Sequence, residues 1–121
     1  MSVPPGTVHA VRRQLLVTER TGVRLQAEVP ETHRERARGL LGRDGLGPGN
    51  AMLLERARTV HTVGMRFPLL VAFLGAELTV LEVVRVPPGR VLLPRARCRH
   101  VLECGIHHDL REGDRILPTQ G

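Results

Sequence analysis

The polar residues best suited to chemistry are His61 and Thr62. They lie in an extended segment that runs up to Pro68, just before the most apolar run of the chain, so their side chains point to opposite faces. A histidine near its ordinary pKa can act as a general base, with Thr62 or a water as its partner. Such a base also needs a carboxylate to orient it, and Glu103, Asp114 and Glu82 are available only from distant parts of the chain. A partly buried structural histidine is therefore the favoured reading of His61.

Other polar groups resolve in the same way. Arg43 can clasp a carboxylate or another anion bidentately, but an arginine just past a helix more commonly pins a loop by donating to backbone carbonyls. Cys98, His100, Cys104, His107 and His108 have the chemistry of metal ligands without the spacing, since there is no C-x2-C and no H-x3-H, and no metal or cofactor is expected. Gly113-Asp114 fits a tight turn. The glycine-rich residues 45–50 follow no strand and open no helix, so they are not a phosphate-binding loop. Nucleophile elbows and dinucleotide fingerprints are absent.

The net charge is +6, and all 18 basic residues are arginines. A basic balance suits nucleic acid or an anionic membrane surface. Here the arginines are scattered and paired with acids, as in Glu35-Arg36 and Glu55-Arg56, which favours a composition effect over a partner. The densest cluster, Arg95, Arg97 and Arg99, alternates along one face of an expected strand, the one place for a nucleic-acid reading. With two Phe, no Tyr and no Trp, the chain has few stacking platforms for single strands. No stretch approaches the ~20 apolar residues of a membrane span. The first residues have no apolar core followed by a small-residue cleavage site, and a cytoplasmic protein is expected. Cys98 and Cys104, placed on one face of a strand over residues 97–104, would lie roughly 20 Å apart along it. That exceeds the ~7 Å limit between Cα atoms in a disulfide, so both are expected as reduced thiols.

The 121 residues suit one domain, expected over residues 12–121 behind a loose arm of residues 1–11 that carries Pro4, Pro5 and Gly6. Residues 15–17 and the alternating residues 23–29 predict an opening hairpin. Thr32-His33-Arg34-Glu35 is a capping-box signature, opening a helix over residues 33–41. Its expected apolar stripe is Ala37, Leu40 and Leu41, and Gly39 and Gly42 end it. Residues 44–50 form a loop anchored by Leu46. Residues 51–54 predict a short buried strand, and residues 69–74 a strand buried on both faces. Residues 77–86, 91–93, 98–103 and 115–117 complete about eight strands, with a turn of helix over 107–111. With one helix among them, the expectation is a mainly β (α+β) fold: a small antiparallel, barrel-like sheet covered by that helix.

Five segments in order carry a resemblance. Arg36-Ala37-Arg38-Gly39-Leu40-Leu41-Gly42-Arg43, Ala51-Met52-Leu53-Leu54, Val60-His61-Thr62-Val63-Gly64-Met65-Arg66-Phe67-Pro68-Leu69, Val101-Leu102-Glu103 and Gly113-Asp114 resemble the motifs of the bacterial and archaeal domain of unknown function 192 family. The resemblance covers residues 23 to 117 and implies a compact β-rich barrel with a helix, with no established activity to carry over. Where family members commonly have P-L-D, this chain has Pro68-Leu69-Leu70; where they have L-P-A-G, it has Cys104-Gly105. The shared polar segments direct attention to a site formed by Arg43, His61, Thr62, Met65, Arg66, Pro68 and Glu103. The expected function is a non-enzymatic binding or accessory module for a protein or small ligand. The alternatives are a hydrolase-like enzyme with His61 as base, and nucleic-acid binding through residues 95–99.

Overall fold

A computed structural model describes residues 11–120 of the chain. The expected N-terminal arm therefore lies, save for Val11, outside the described residues. Seven strands form one curled mixed sheet, a half-barrel: β1 (Arg12–Thr18), β2 (Arg24–Val29), β3 (Asn50–Glu55), β4 (Leu69–Leu74), β5 (Val80–Val86), β6 (His100–Cys104) and β7 (Ile116–Thr119), in the order β5-β4-β6-β3-β2-β1-β7. The one α-helix among the described residues, α1 (His33–Leu40), lies between β2 and β3.

The hairpin of β1 and β2 turns at Gly22, whose φ of +73° suits a residue without Cβ. Gly22 N donates to Thr18 O at 2.7 Å and Thr18 N to Val23 O at 2.9 Å. Most pairings are antiparallel, as expected, but β2 and β3 run parallel. The helix supplies the reason: a parallel neighbour requires a crossover connection, and α1 with its flanking loops provides one. At the far edges, an isolated bridge between Thr79 and Arg115 links the start of β5 to the start of β7. Val80 N donates to Asp114 O at 2.7 Å and Gly113 N to Val80 O at 2.8 Å, drawing one end of the half-barrel together.

Two clusters of apolar side chains fill the two faces of the sheet. The inner one includes Leu16, Leu25, Ala27, Leu53, Leu70, Ala72, Leu74, Leu102 and Ile116. The outer one includes Leu40, Met52, Val60, Met65, Phe67, Leu69, Val71, Phe73 and Val101. Along β4 the residues alternate between the clusters, so every position is buried, as the unbroken apolar run predicts. Helix α1 and residues 56–68 close over the outer face.

Several expectations need correction. Residues 91–93 are not a strand: Val91 forms one isolated bridge with His61, and Val91 and Leu93 are 72% and 76% exposed. Prolines at 87, 88 and 94 withhold amides a ladder would use. Residues 77–79 do not begin β5, because a 3-10 turn, Ala76–Leu78, precedes it. Residues 107–111 form no helix: a turn and bend at 107–108 lead into irregular chain. The helix stripe also differs from the expected one. Leu41 caps the helix and is 46% exposed, whereas Arg36 and Leu40 are the buried pair. The capping box forms with a shifted partner: Thr32 Oγ1 accepts from Glu35 N at 3.1 Å, while the Glu35 carboxylate accepts from Glu31 N at 2.6 Å.

Candidate functional site

Glu103 sits on β6 opposite Met52 of β3 and Val71 of β4, facing the outer cluster. Its side chain is completely buried. A carboxylate in such surroundings needs a charged partner, and Arg36 of α1 is that partner. Arg36 Nε donates to Oε1 at 3.0 Å and Nη2 to Oε2 at 2.6 Å, a bidentate fork. Nη2 also donates to the backbone oxygen of His61 at 2.8 Å. One guanidinium thus ties the helix, the centre of the sheet and the His61 segment together. Burial pushes the Glu103 carboxyl upward, and the hydrogen bonds and charge of Arg36 oppose that push.

Above this pair lies a cleft of about 430 Å³ between the start of α1, the end of β3 with the segment after it, and Val91. Arg36 contributes to its lining; His33 and His61 stand on its sides with Arg56, Arg58 and Glu31. Leu54, Ala57, Val60 and Val91 give it an apolar portion. Arg56 adopts a left-handed backbone conformation, φ 57°, uncommon without glycine, and its amide donates to His100 Nδ1 at 3.1 Å. The His61 imidazole is held below its ordinary pKa, first by partial desolvation, then by the charges of Arg36 and His33. Among the described residues, the charged groups that act on it are Arg36 and His33, and neither is a carboxylate.

The residues singled out in sequence are placed unequally. His61 lines the cleft, and Glu103 supports its floor through Arg36. Thr62 has left the site for the core: Oγ1 donates to Pro87 O at 2.7 Å and accepts from Arg90 N at 2.9 Å. Met65 packs in the outer cluster. Arg43 lies outside the cleft and donates to Gly39 O at 3.1 Å, the loop-pinning role. Arg66 is exposed and approaches Asp44 at 3.5 Å, and half-buried Pro68 only leads into β4. Leu70 belongs to the inner cluster, so a carboxylate at this position would face away from Arg36 and Glu103. The residue sequence reasoning missed is Arg36. Its signal was its position four residues before Leu40, on the same helix face.

The arginine strand is also absent. Residues 96–97 form a turn, Arg97 has φ 66°, and Arg95 is committed to Glu82 at 3.0 Å and to the face of Phe73, with its guanidinium carbon 4.6 Å from the ring centroid. Arg95, Arg97 and Arg99 therefore share no strand face. The cysteines are both free, but not on one face as expected: Cys98 joins the outer cluster and Cys104 the inner one. Burial, with the neighbouring charge of Glu103, pushes the Cys104 thiol up to about 12. Among the described residues no group of three His, Cys, Asp or Glu side chains gathers as a metal set. No helix among the described residues is long and apolar enough to cross a membrane.

Two solved structures share this fold. A proposed transcription regulator from Sinorhizobium meliloti 1021 superposes with a TM-score of 0.74 at 20% identity, over 91% of this chain and 96% of its own. A protein of unknown function from Novosphingobium aromaticivorans DSM 12444 gives a TM-score of 0.70 at 23% identity, over 96% of this chain and 91% of its own. At such identities the likeness speaks for the fold alone. None of the curated proteins matches the chain. The family pattern described as DUF192, uncharacterized ACR, spans residues 16–117, taking in the Arg36 helix, the His61 segment and Glu103 alike. The chain belongs to the domain of unknown function 192 family.

Proposed function

We propose that this protein is a non-enzymatic binding module whose ligand, a small molecule or a side chain of a partner protein, enters the cleft above Arg36. The observation that carries this reading is the buried Arg36–Glu103 pair at the cleft floor. Burying two charges is costly and adds little stability over an apolar pair, so its position at the base of a cleft of ligand-binding size supports a role in recognition. The lack of an orienting carboxylate for His61 among the described residues favours binding over hydrolysis. A cytoplasmic setting goes with this reading, supported by the two unpaired thiols.

The test is a fragment screen by two-dimensional amide NMR on the full chain. Saturable shifts should gather on residues 31–36 and 54–61 and weaken in His61→Ala. Shifts confined to the surface around Arg43, or none at all, would overturn the assignment. A fluorescent fusion confined to the cytoplasm in the native cell would bear out the setting, and an envelope signal would refute it.

A further inference from the structure

The cleft lining carries three arginines, Arg36, Arg56 and Arg58, against two glutamates, Glu31 and Glu55. Arg36 uses Nε and Nη2 on Glu103 and His61, but Nη1 has no partner among the described residues. That nitrogen carries two N–H groups on a side chain only 9% exposed, in a residue that lines the cleft. Arg56 lines the same cleft with no ion-pair partner among the described residues, where Arg58 donates only to the backbone oxygen of Arg95, at 3.4 and 3.5 Å. Of the acids lining the cleft, Glu55 is engaged by Arg12, which leaves exposed Glu31. Half-buried Leu54 and Ala57 and exposed Val91 offer apolar surface in the same lining.

We infer that the cleft takes a small amphipathic anion, with a phosphate or carboxylate head on the unused Nη1 edge of Arg36 and an apolar tail along Leu54, Ala57 and Val91. This deepens the binding reading above and rests on it. A guanidinium whose other edge is fixed by Glu103 is already oriented, so an acceptor-rich head group meets donors that need no reordering. Arg56 and the imidazole of His61 stand at the sides of that head group.

The test titrates the full chain with butyl phosphate, pentanoate and neutral 1-pentanol at constant ionic strength, following cleft amides and the arginine side-chain resonances by NMR. At least one anion should bind tenfold or more tightly than pentanol and shift the Arg36 side-chain signal. Butyl phosphate exceeding pentanoate assigns a phosphoryl head, the reverse a carboxylate; either upholds the inference. Arg56→Ala should weaken the anion about twofold to fivefold, the range of an exposed charge contact. In Arg36→Met/Glu103→Leu, which replaces the ion pair by apolar side chains, the preference over pentanol should vanish. Pentanol binding as well as the anions in the unsubstituted protein overturns the anion inference and leaves the binding module standing. An anion preference that survives the double substitution also overturns it. Silence of the cleft toward all three compounds removes both readings.

Discussion

The Arg36–Glu103 pair gives the sharpest prediction. Replacing Arg36 with Met strands a fully buried carboxylate, and replacing Glu103 with Leu strands a guanidinium that is 9% exposed. Breaking a buried pair in this way costs about 3–5 kcal/mol. Unfolding entropy near 60 °C is about 2.1 cal/mol/K per residue, which for 121 residues is about 0.25 kcal/mol/K. Each single variant should therefore melt about 12–20 °C lower. The double variant removes both charges together, and apolar replacement of such pairs is often neutral or stabilising. It still forfeits the bond from Arg36 Nη2 to His61 O, 2.8 Å long, a cost of about 1–3 kcal/mol if that carbonyl is left without a donor. The double variant should thus be more stable than either single one. Urea denaturation of all four proteins closes the cycle, with the midpoint as readout at constant m. Additive losses, or single variants within about 0.5 kcal/mol of the parent, the range of ordinary surface changes, would refute the reasoning.

Other elements of the fold yield further expectations. Phe73→Ala empties a fully buried ring site beneath Arg95 and should cost about 3–5 kcal/mol by urea denaturation, and a loss under 1 kcal/mol would show that the outer cluster collapses to fill the space. Thr62→Val removes a hydroxyl with two backbone partners and should cost about 1–3 kcal/mol while leaving cleft binding intact; lost binding in a folded variant would return Thr62 to the site. Asp114 is held below its ordinary carboxyl range by hydrogen bonds from Arg20 and, secondarily, by the Arg111 amide. Its folded pKa lies below its unfolded one, so its contribution is complete above about pH 4 and is lost as pH falls through the depressed folded value. Asp114→Asn should flatten the acid limb of the stability curve, and an unchanged limb would exclude this carboxylate as a source. Cys98 and Cys104 should both resist a thiol reagent until the chain is unfolded, and rapid labelling of the native protein would contradict their burial.

The cleft was only partly legible in the sequence. His61 and Glu103 stood out by type and by motif, and both belong to it, one on its side and one beneath its floor. Arg36 read as one of the scattered arginines paired with acids, beside Glu35. Its place on the Leu40 face aims it inward, but whether an arginine there is buried depends on what the far end of its side chain meets, and Glu103 is 67 residues away. Thr62, Met65 and Arg66 share a segment with His61, yet Thr62 is held by the backbone of Pro87 and Arg90, and the turn after it sends Met65 to the outer cluster and Arg66 to the solvent. Neighbours in sequence need not share a site.

Local physics settled what periodicity and capping can settle. The alternation over β2, the apolar run of β4, the Thr32 cap and the Gly113 turn each carry their own short-range cause, and each formed as the residues dictate. The tertiary structure decided what depends on distant partners. It set the parallel pairing of β2 with β3, kept residues 91–93 and 98–99 out of the sheet, and separated the two cysteines onto opposite faces. It also joined Arg36 to Glu103. A strand needs a partner edge and a buried charge needs a counter-charge, and both come from chain segments that a local window does not contain.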